Sequence, residues 1–449
     1  MKWLIWAVSV LAYVLAVINR SSFSALGPVA QEHFGAEATA LSTFVTVQLV
    51  VYAGAQIPVG IALDRWGAPT LITSGLSAMA AGQFLLGASD SIPVAIIARI
   101  LVGAGDACIF TSMVRLISEW FGFKQIPVMN QLSGNIGQIG QIIAVTPLVM
   151  LVAAAGWQGG FSVLAILCLI VALASAVILR DNPRQNTVLQ RLRGKKAQQH
   201  FEQANLEQAH QASPITEALP ITGPNSSGIF PALKALLKRP GIRMAFWVHL
   251  STSFTIFNFT LLWGTPFVTG GLGYSQGVAA MLITTIIITT LVFGVFAGGL
   301  LTRFASYRVH MALGLVICSQ ILWAIIVLMP GQPPLWLLFT LVIVLGMSSP
   351  ISMVAFELVR AHAPLTQRGV ATGIANMGGY VGAFSMMLIV GLLLDAQGAG
   401  SPDTYAMQPF KWAMASQLVV GVLGICMILR EYPKAKKYLL SKYPPSHRG

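Results

Sequence analysis

Three ionisable residues, Arg20, Arg99 and Asp106, lie inside long apolar runs of the sequence. Ionised side chains within a membrane-spanning segment are costly and normally face a protein cavity. A guanidinium group suits carboxylate or phosphate oxygens, because its forked donors form parallel hydrogen bonds. A buried carboxyl can exchange a proton, since burial disfavours its charged form and a nearby cation favours it. These residues therefore predict an anion site next to a proton carrier.

Each of the three residues also has a structural interpretation. Arg99 could hydrogen-bond the carbonyl groups of a neighbouring helix, Arg20 could extend to lipid headgroups, and Asp106 could join two helices. The spacing of Arg99 and Asp106 places them on one helix face, about 10 Å apart. Arg20 and Arg99 are predicted to lie about 10 to 14 Å below the same membrane surface.

A stripe of amide side chains marks a candidate wall of the site. Its members recur at helical spacing on one face of an otherwise apolar helix, and they are Gln131, Asn135, Gln138 and Gln141. Such a stripe either lines a cavity or joins neighbouring helices, and four amides exceed what packing needs. The candidate cavity residues of the second half are His249, Thr252, Thr255, Asn258, Ser348, Ser349, Ser352, Asn376 and Tyr380. We interpret His249 as a packed or solvated histidine rather than a proton carrier.

The composition excludes a soluble protein. Of 449 residues, 55% are hydrophobic and only 9% are charged, against about 25% charged in soluble domains. The mean hydropathy is +0.75. At about 20 residues per crossing, the chain can hold roughly twelve membrane helices. The cysteines, which show no disulfide or zinc spacing and predict neither a metal nor a cofactor, are Cys108, Cys168, Cys318 and Cys426.

Apolar runs of helical length fall into two groups of six. The first six are residues 3–29, 40–62, 70–88, 92–118, 127–154 and 159–180, and the second six are 243–269, 276–300, 308–330, 334–361, 369–396 and 409–430. We therefore predict an all-α integral membrane protein, with helix bundles at residues 1–180 and 241–430. A cytoplasmic linker at 181–240 and a basic tail at 431–449 complete the chain. The end of the linker, residues 229–239, predicts a short helix on the membrane surface or against the protein.

The distribution of charge predicts the orientation in the membrane. The chain has 27 Lys and Arg against 14 Asp and Glu, a formal net charge of +13. With an even number of spans both termini share one side, and nearly all cations fall on that side. Cationic loops remain in the cytoplasm, so both termini are predicted to be cytoplasmic. This explanation of the positive charge makes a nucleic-acid partner unnecessary.

The two halves resemble each other at one constant offset. It matches Pro28 to Pro266, Gly35 to Gly273, Gly60 to Gly298, and Arg65 to Arg303. Parallel repeats of six helices create a pseudo-twofold axis along the membrane normal, with a substrate path between the halves. This architecture favours transport over catalysis.

Several motifs resemble those of the major facilitator superfamily. Residues 60–67 read Gly-Ile-Ala-Leu-Asp-Arg-Trp-Gly, which resembles the Gly-x-x-x-Asp-Arg-x-Gly signature between helices 2 and 3. Residues 99–106 resemble the Arg-x-x-x-Gly-x-Gly pattern of helix 4, and residues 156–161 resemble the Gly-Trp-Arg entry to helix 6. The resemblance covers all twelve spans and implies two six-helix bundles that work by alternating access.

Within that superfamily, the first span resembles the organic anion to cation symporters. Their helix 1 has Asp-Arg, a small polar run and Glu-x-Phe-Gly, and here Asn19 replaces the Asp before Arg20. Their helix 4 has an Arg and, seven residues later, a Glu; here the pair is Arg99 and Asp106. The resemblance implies that helices 1 and 4 are adjacent, so that Arg20 and Arg99 could converge on one anion.

The signature loop supplies the candidate gating residues. By resemblance, Asp64 and Arg65 hold the inner helix ends together in the outward-facing state, with Arg115 as a candidate partner. Arg303 is the second-half copy of Arg65. The predicted substrate-binding residues are Arg20, Arg99, Gln131, Asn135, Gln138, Asn258, Asn376 and Tyr380, and the predicted proton-coupling residue is Asp106.

These observations favour a secondary transporter of the bacterial plasma membrane. The first hypothesis is uptake of a small organic anion with protons, by a monomer in the lipid bilayer. A second is a proton-driven exporter of amphiphilic compounds, which the missing Gly-Pro-x-x-Gly-Gly antiporter pattern disfavours. A third is a polytopic membrane enzyme that acts on lipid-linked groups. No cluster of His, Asp or Glu and no nucleotide-binding loop in the sequence supports it.

Overall fold

The computed structural model describes residues 1–34, 38–145, 147–182, 187–193, 229–400 and 402–442. Long helices dominate these residues, and no strand occurs in them. The helices of the first half are α1 (Lys2–Ala25), α2 (Ala38–Trp66), α3 (Ala68–Gly87), α4 (Ile92–Trp120), α5 (Ile126–Val145) and α6 (Pro147–Ile178). Those of the second half are α7 (Pro240–Asn258), α8 (Gln276–Arg303), α9 (Arg308–Leu328), α10 (Leu335–Ile351), α11 (Arg368–Ala396) and α12 (Met407–Lys442).

The predicted twelve-helix membrane fold is confirmed. Among the described residues, eleven helices are long and apolar enough to cross a membrane. The helix outside that set is α5, at the place of the fifth span, because its amides lower its hydropathy. A short helix, Gly27–Phe34, extends α1, and Val354–His362 extends α10 beyond Ile351.

The break between the fifth and sixth spans lies at Gly156. Its φ of 74° is a left-handed conformation that favours glycine. The part of α6 before Gly156 therefore continues α5, and the part after it forms the sixth span. This position agrees with the sequence boundary between residues 154 and 159.

Parts of the linker and of the predicted tail are helical. The linker contains helices Val188–Arg193 and Ile229–Leu237, and Leu236 of the second is fully buried, so this helix packs on the protein. Residues 431–442 of the predicted tail continue α12. In this segment, Oε2 of Glu431 pairs with Nη2 of Arg243 in α7 at 2.5 Å. Gly35, most of the linker and residues 443–449 lie outside the described residues.

Close packing of α3 on α4 positions the helix that carries Asp106. A Cβ atom on Gly75 would lie 2.7 Å from the carbonyl oxygen of Gly105, and one on Gly82 would lie 2.8 Å from that of Ala98. Small residues of this kind allow two membrane helices to approach at backbone distance. The side of α4 that carries Asp106 is thereby fixed relative to the bundle.

The seventh span changes its helical pitch around Pro266. Wider π-helical turns at Phe259–Trp263 and Phe267–Gly271 flank a short turn at Gly264–Pro266. Pro266 cannot donate a backbone hydrogen bond, which accounts for a local adjustment of this kind. The indole Nε1 of Trp263 donates to the carbonyl oxygen of Met387 in α11 at 2.9 Å.

Candidate functional site

A cavity lies between the two halves and has an empty volume of about 860 Å³, counting space open to solvent. Its walls come from α1, α2, α4 and α5 on one side and from α7, α8, α10 and α11 on the other. The predicted residues that line it are Arg20, Gln131, Asn135, Gln138, Gln141, His249, Ser349, Ser352, Asn376 and Tyr380. Both repeats therefore contribute polar groups to one chamber.

Arg20 and Asp106 form a bidentate ion pair in the wall of this cavity. Nε of Arg20 donates to Oδ2 of Asp106 at 2.7 Å, and Nη2 donates to Oδ1 at 2.8 Å. The Arg20 side chain is 21% exposed, whereas that of Asp106 is 1% exposed. A ligand in the cavity can therefore reach the arginine, while the carboxylate lies behind it.

The second half holds the other side of the Arg20 guanidinium. Nη1 of Arg20 donates to the hydroxyl of Tyr380 in α11 at 2.9 Å. The guanidinium carbon lies 4.9 Å from the ring centre of Tyr52 in α2. The rings of Tyr52 and Tyr380 are in contact, with centres 4.2 Å apart. One cation thus joins the two halves at the level of the cavity.

Arg99 does not have the geometry expected from the sequence. Its Nη2 donates to Oε1 of Gln48 in α2, its side chain is fully buried, and it is not among the residues that line the cavity. The two guanidinium groups therefore do not converge on one open position in this conformation. The reason is that Arg20 takes Asp106 as its partner while Arg99 points toward an uncharged amide of another helix.

The amide stripe of α5 faces the cavity, and part of it contacts the second half. Nε2 of Gln131 donates to Oδ1 of Asn135 at 3.1 Å. Nδ2 of Asn135 donates to the carbonyl oxygen of Leu291 in α8 at 3.3 Å. These contacts combine the two interpretations of the stripe, since the same helix face lines the chamber and touches the other repeat.

Four second-half candidates do not line this cavity. Asn258 is fully buried, and its Nδ2 lies 3.9 Å from the sulfur of Met414 instead of reaching the cavity. Thr252, Thr255 and Ser348 are buried outside the lining set as well. The hydroxyls of Thr252 and Ser348 donate to carbonyl groups one turn earlier in their own helices.

His249 is a packed histidine that borders the cavity. Its Nδ1 accepts a hydrogen bond from the backbone N–H of Gly379 at 3.0 Å. Its ring also contacts the ring of Phe356, with centres 5.3 Å apart. The contact with Gly379 fixes the neutral tautomer that carries its proton on Nε2.

A polar row on α2 was not predicted from the sequence. Its members recur every four residues, and Tyr52 among them lines the cavity. Gln48 accepts a hydrogen bond from Arg99, and Tyr52 and Gln56 accept from Nδ2 of Asn376 at 3.1 and 2.9 Å. The same spacing rule that identified the α5 stripe could have found this row. Tyr13, two turns before Arg20, also lines the cavity.

We call one end of the helix bundle the arginine-rich side. It is formed by the helix ends near Arg65, Arg115, Arg303 and Arg360. On this side the Asp64 carboxylate accepts hydrogen bonds from the backbone N–H groups of Gly369 at 2.7 Å and Val370 at 3.0 Å. An anionic group at a helix N-terminus is stabilised by these otherwise unpaired donors. Asp64 thereby ties α2 of one half to α11 of the other.

The remaining gating candidates have different surroundings. Nη1 of Arg115 donates to Oδ1 of Asp64 at 3.3 Å and to the carbonyl oxygen of Leu63 at 3.1 Å, so the expected pair forms. Arg65 and Arg303 are exposed. The guanidinium carbon of Arg303 lies 5.6 Å from the ring centre of Phe304.

Two pairs of helices are in backbone contact on the arginine-rich side. A Cβ on Gly60 of α2 would lie 2.7 Å from the carbonyl oxygen of Gly369 and from Cα of Val370 in α11. A Cβ on Gly298 of α8 would lie 2.7 Å from Cα of Val128 in α5. Gly60 and Gly298 are repeat partners in the sequence, so the two halves close against each other on this side in a pseudo-symmetric way.

Comparison with known proteins agrees with this architecture. The family model described as Major Facilitator Superfamily matches residues 9–354 and 266–443. The chain is 24% identical over 186 residues to a probable sulfoacetate transporter, SauU, of Cupriavidus necator, and 25% identical over 170 residues to a probable L-galactonate transporter of Escherichia coli. These alignments cover 41% and 38% of this chain and only 43% and 38% of the relatives' lengths.

Solved structures share the fold at low identity. The E. coli fucose:proton symporter FucP has a TM-score of 0.64 at 14% identity, with 95% of this chain and 98% of that chain covered. The proton:xylose symporter XylE, bound to 6-bromo-6-deoxy-D-glucose, has a TM-score of 0.66 at 15% identity, with 96% and 95% covered. At these identities the similarity shows the fold.

Proposed function

This chain belongs to the major facilitator superfamily of transporters, and we propose that it takes up a small organic anion together with protons by alternating access. The relatives and the fold are those of transporters, so the hypothesis of a membrane enzyme is dropped. The observation that carries the proposal is the bidentate pair of Arg20 and Asp106 in the cavity wall. The names of two relatives, which refer to sulfoacetate and L-galactonate, support an anionic cargo.

The proposed coupling follows from competition for one guanidinium edge. Nε and Nη2 of Arg20 are both occupied by Asp106. A cargo carboxylate can use that edge only if Asp106 gives it up. Protonation of Asp106 removes its charge and weakens both hydrogen bonds, because bonds to charged acceptors are the stronger ones. The proton therefore opens the site to the anion, and loss of the proton expels the anion.

The amides and tyrosines hold the rest of the cargo in this proposal. Gln138 and Gln141 lie on the cavity wall contributed by α5, and Asn376 lies on the wall contributed by α11. Their donors and acceptors can bind hydroxyl groups or further acidic oxygens of a small solute. The hydroxyl of Tyr380 accepts a hydrogen bond from Arg20. Binding of cargo to the arginine therefore depends on the position of α11.

We further propose that the arginine-rich side is the cytoplasmic side of a bacterial plasma membrane and that this conformation faces outward. The excess of cations in short loops on this side supports the orientation. The contacts of Gly60 with α11 and of Gly298 with α5 support closure toward the cytoplasm. In this state Asp64 and Arg115 act as a latch, which must open for the cargo to leave.

The test is uptake by the purified protein in liposomes with an imposed pH gradient. L-galactonate and sulfoacetate are the probes, offered outside in an acidic medium against a neutral interior. We expect at least one of these acids to accumulate inside the liposomes, and this accumulation to disappear when a protonophore removes the pH gradient. The alternative, a proton-driven exporter of amphiphilic compounds, instead expects that outside acid drives amphiphilic dyes out of loaded vesicles and that neither acid accumulates.

A further inference from the structure

The charged groups at the centre of the described membrane helices form a small set. They are Arg20, Arg99 and Asp106. Other carboxylates with described side chains lie at helix ends or in loops, on the arginine-rich side as Asp64, Glu119, Asp181, Glu357 and Glu431, and on the opposite side as Asp90, Asp395 and Asp403. Lys411 near the opposite surface is held by the carbonyl groups of Met329, at 2.6 Å, and Gly331.

Asp106 and the cargo are alternative counter-ions of one cation. In the empty carrier the centre holds two arginines and one carboxylate, and its net charge is positive by one. When Asp106 is protonated and a monovalent anion is bound to Arg20, the net charge of the centre is again positive by one. Because moving charge through a membrane interior is costly, a carrier whose central charge does not change between its two reorienting forms avoids an electrical penalty.

The groups that face Asp106 offer no second proton carrier. They are Arg20 and Tyr13 of α1, Tyr52 of α2, Tyr380 of α11 and, on its own helix, Arg99 and Cys108. The tyrosines and the thiol already hold their protons at neutral pH, and the arginines stay charged.

Two further groups can be considered as proton carriers. His249 would have to lose the hydrogen bond from Gly379 to accept a proton on Nδ1. Asp64 is held at the closed end by Gly369, Val370 and Arg115, and it does not line the cavity. Each therefore has a structural partner that opposes its use in coupling.

From this charge balance we infer that one proton accompanies each anion and that the preferred cargo is a monovalent organic acid, so that the cycle moves no net charge. The inference rests on the proposed function and makes it more specific. A divalent acid carried with one proton would move one negative charge inward, against the usual inside-negative potential. The charge balance therefore selects against divalent cargo during uptake by an energised cell.

The experiment uses liposomes that contain the unmodified protein. It measures the ratio of inside to outside anion concentration at which net uptake stops. L-galactonate, a monovalent acid, is the probe, and valinomycin with potassium gradients sets the membrane potential independently of the pH gradient. One proton per anion predicts about tenfold accumulation for each unit of pH difference. The same accumulation is expected at zero potential and at an inside-negative potential.

The outcomes separate the inference from the function beneath it. If two protons entered with each anion, the accumulation would be about a hundredfold per pH unit. An inside-negative potential of 100 mV would then raise it by roughly a further fiftyfold. Either result would overturn the one-proton cycle and leave proton-coupled uptake standing. If neither L-galactonate nor sulfoacetate accumulated under a pH gradient, the proposed function and the inference with it would be overturned. Accumulation of sulfoacetate, which is divalent at neutral pH, without accumulation of L-galactonate would overturn the preference for monovalent cargo alone.

Discussion

At the scale of single residues, Arg20 has three neighbours that define its role. Asp106 occupies the Nε and Nη2 edge, Tyr380 accepts from Nη1, and the Tyr52 ring lies against the guanidinium plane. Only a planar group with several fixed donors can make all these contacts together. A lysine has the same charge but only one nitrogen that donates hydrogen bonds. Replacement of Arg20 by lysine therefore tests the hydrogen-bond geometry while the charge stays constant.

The first prediction concerns Arg20→Lys. At acidic pH, where protonated Asp106 does not compete in the proposed mechanism, we expect anion affinity to fall about tenfold to a hundredfold, because one charge-assisted hydrogen bond is lost. Isothermal titration with L-galactonate measures this loss. Arg303→Lys, a matched change at an exposed arginine outside the cavity, should leave the affinity unchanged. Equal affinities of Arg20→Lys and the unmodified protein would show that Arg20 does not bind the cargo.

The second prediction concerns Asp106→Asn. The amide keeps the size of the side chain and cannot exchange a proton. We therefore expect pH-driven accumulation to be abolished, while exchange of labelled for unlabelled anion across the membrane continues. Counterflow in liposomes measures exchange, and uptake under a pH gradient measures coupling. Unchanged driven uptake would refute the coupling role of Asp106.

The sequence could predict Arg20 and Asp106 as site residues, but not the ion pair between them or the other partners of Arg20. Arg20 and Asp106 stood out because charges inside apolar runs are rare, and this signal is local. The bond from Arg20 to Tyr380 joins residues far apart in the chain, and it requires the two halves to be placed side by side. For Arg99 the sequence left a structural and a binding role open, and its hydrogen bond to Gln48 on another helix could not be predicted because that amide carries no charge.

At the scale of helices, closure on the arginine-rich side depends on two glycine contacts and one capped helix. Gly60 on α2 meets α11, and Gly298 on α8 meets α5. The Asp64 carboxylate receives the first backbone donors of α11. Since α2 and α8 are repeat partners, one type of contact is used twice about the pseudo-twofold axis. Small residues make this approach possible, and any side chain at these positions opposes it.

The third prediction concerns Gly60→Val. A Cβ at this position would lie 2.7 Å from the backbone of α11, and overpacking of this kind costs about 1 to 3 kcal/mol. We expect the arginine-rich side to open more often. The rate at which a membrane-impermeant maleimide labels Thr372→Cys, in a background without the four native cysteines, should rise severalfold.

Gly54→Val is the matched control for this prediction. Gly54 lies on the same helix, and a Cβ there meets nothing within 4 Å. Its labelling rate should equal that of the unmodified background. An unchanged rate in Gly60→Val as well would show that the contact between α2 and α11 does not hold this side closed.

The fourth prediction concerns Asp64→Ala. The change removes the acceptor for the N–H groups of Gly369 and Val370 but no group of the cavity wall. We expect substrate affinity to stay nearly the same and the turnover rate to fall severalfold. Asp395→Ala, at the exposed far end of α11, serves as the control. A large loss of affinity with normal turnover would contradict a gating role.

Helix positions were well predicted, and helix interiors less so. Hydropathy located the spans because each must cover the membrane with apolar residues. The break at Gly156 was predictable from its Gly-Trp context. Pro266 indicated a disturbance in the seventh span, whereas the extent of the π-helical turns on both sides of it was not predicted.

At the scale of the whole molecule, the cavity belongs to neither half alone. The first half supplies Arg20, Asp106 and the amides of α5, and the second supplies Tyr380, Asn376 and His249. Movement of one half against the other must therefore change the contacts of Arg20. In the proposed mechanism, occupancy of the site and the conformation of the protein are linked through Arg20. The repeat in the sequence predicted this two-part design, but hydropathy contains no information about which faces meet.

The most direct measurement of the central claim is the number of protons taken up when the anion binds. Purified protein in weakly buffered solution near neutral pH is mixed with L-galactonate, and a pH indicator follows the medium. We predict that about one proton is taken up for each bound anion, and none by Asp106→Asn. Binding without proton uptake, or equal uptake by Asp106→Asn, would contradict the exchange of Asp106 and cargo on Arg20.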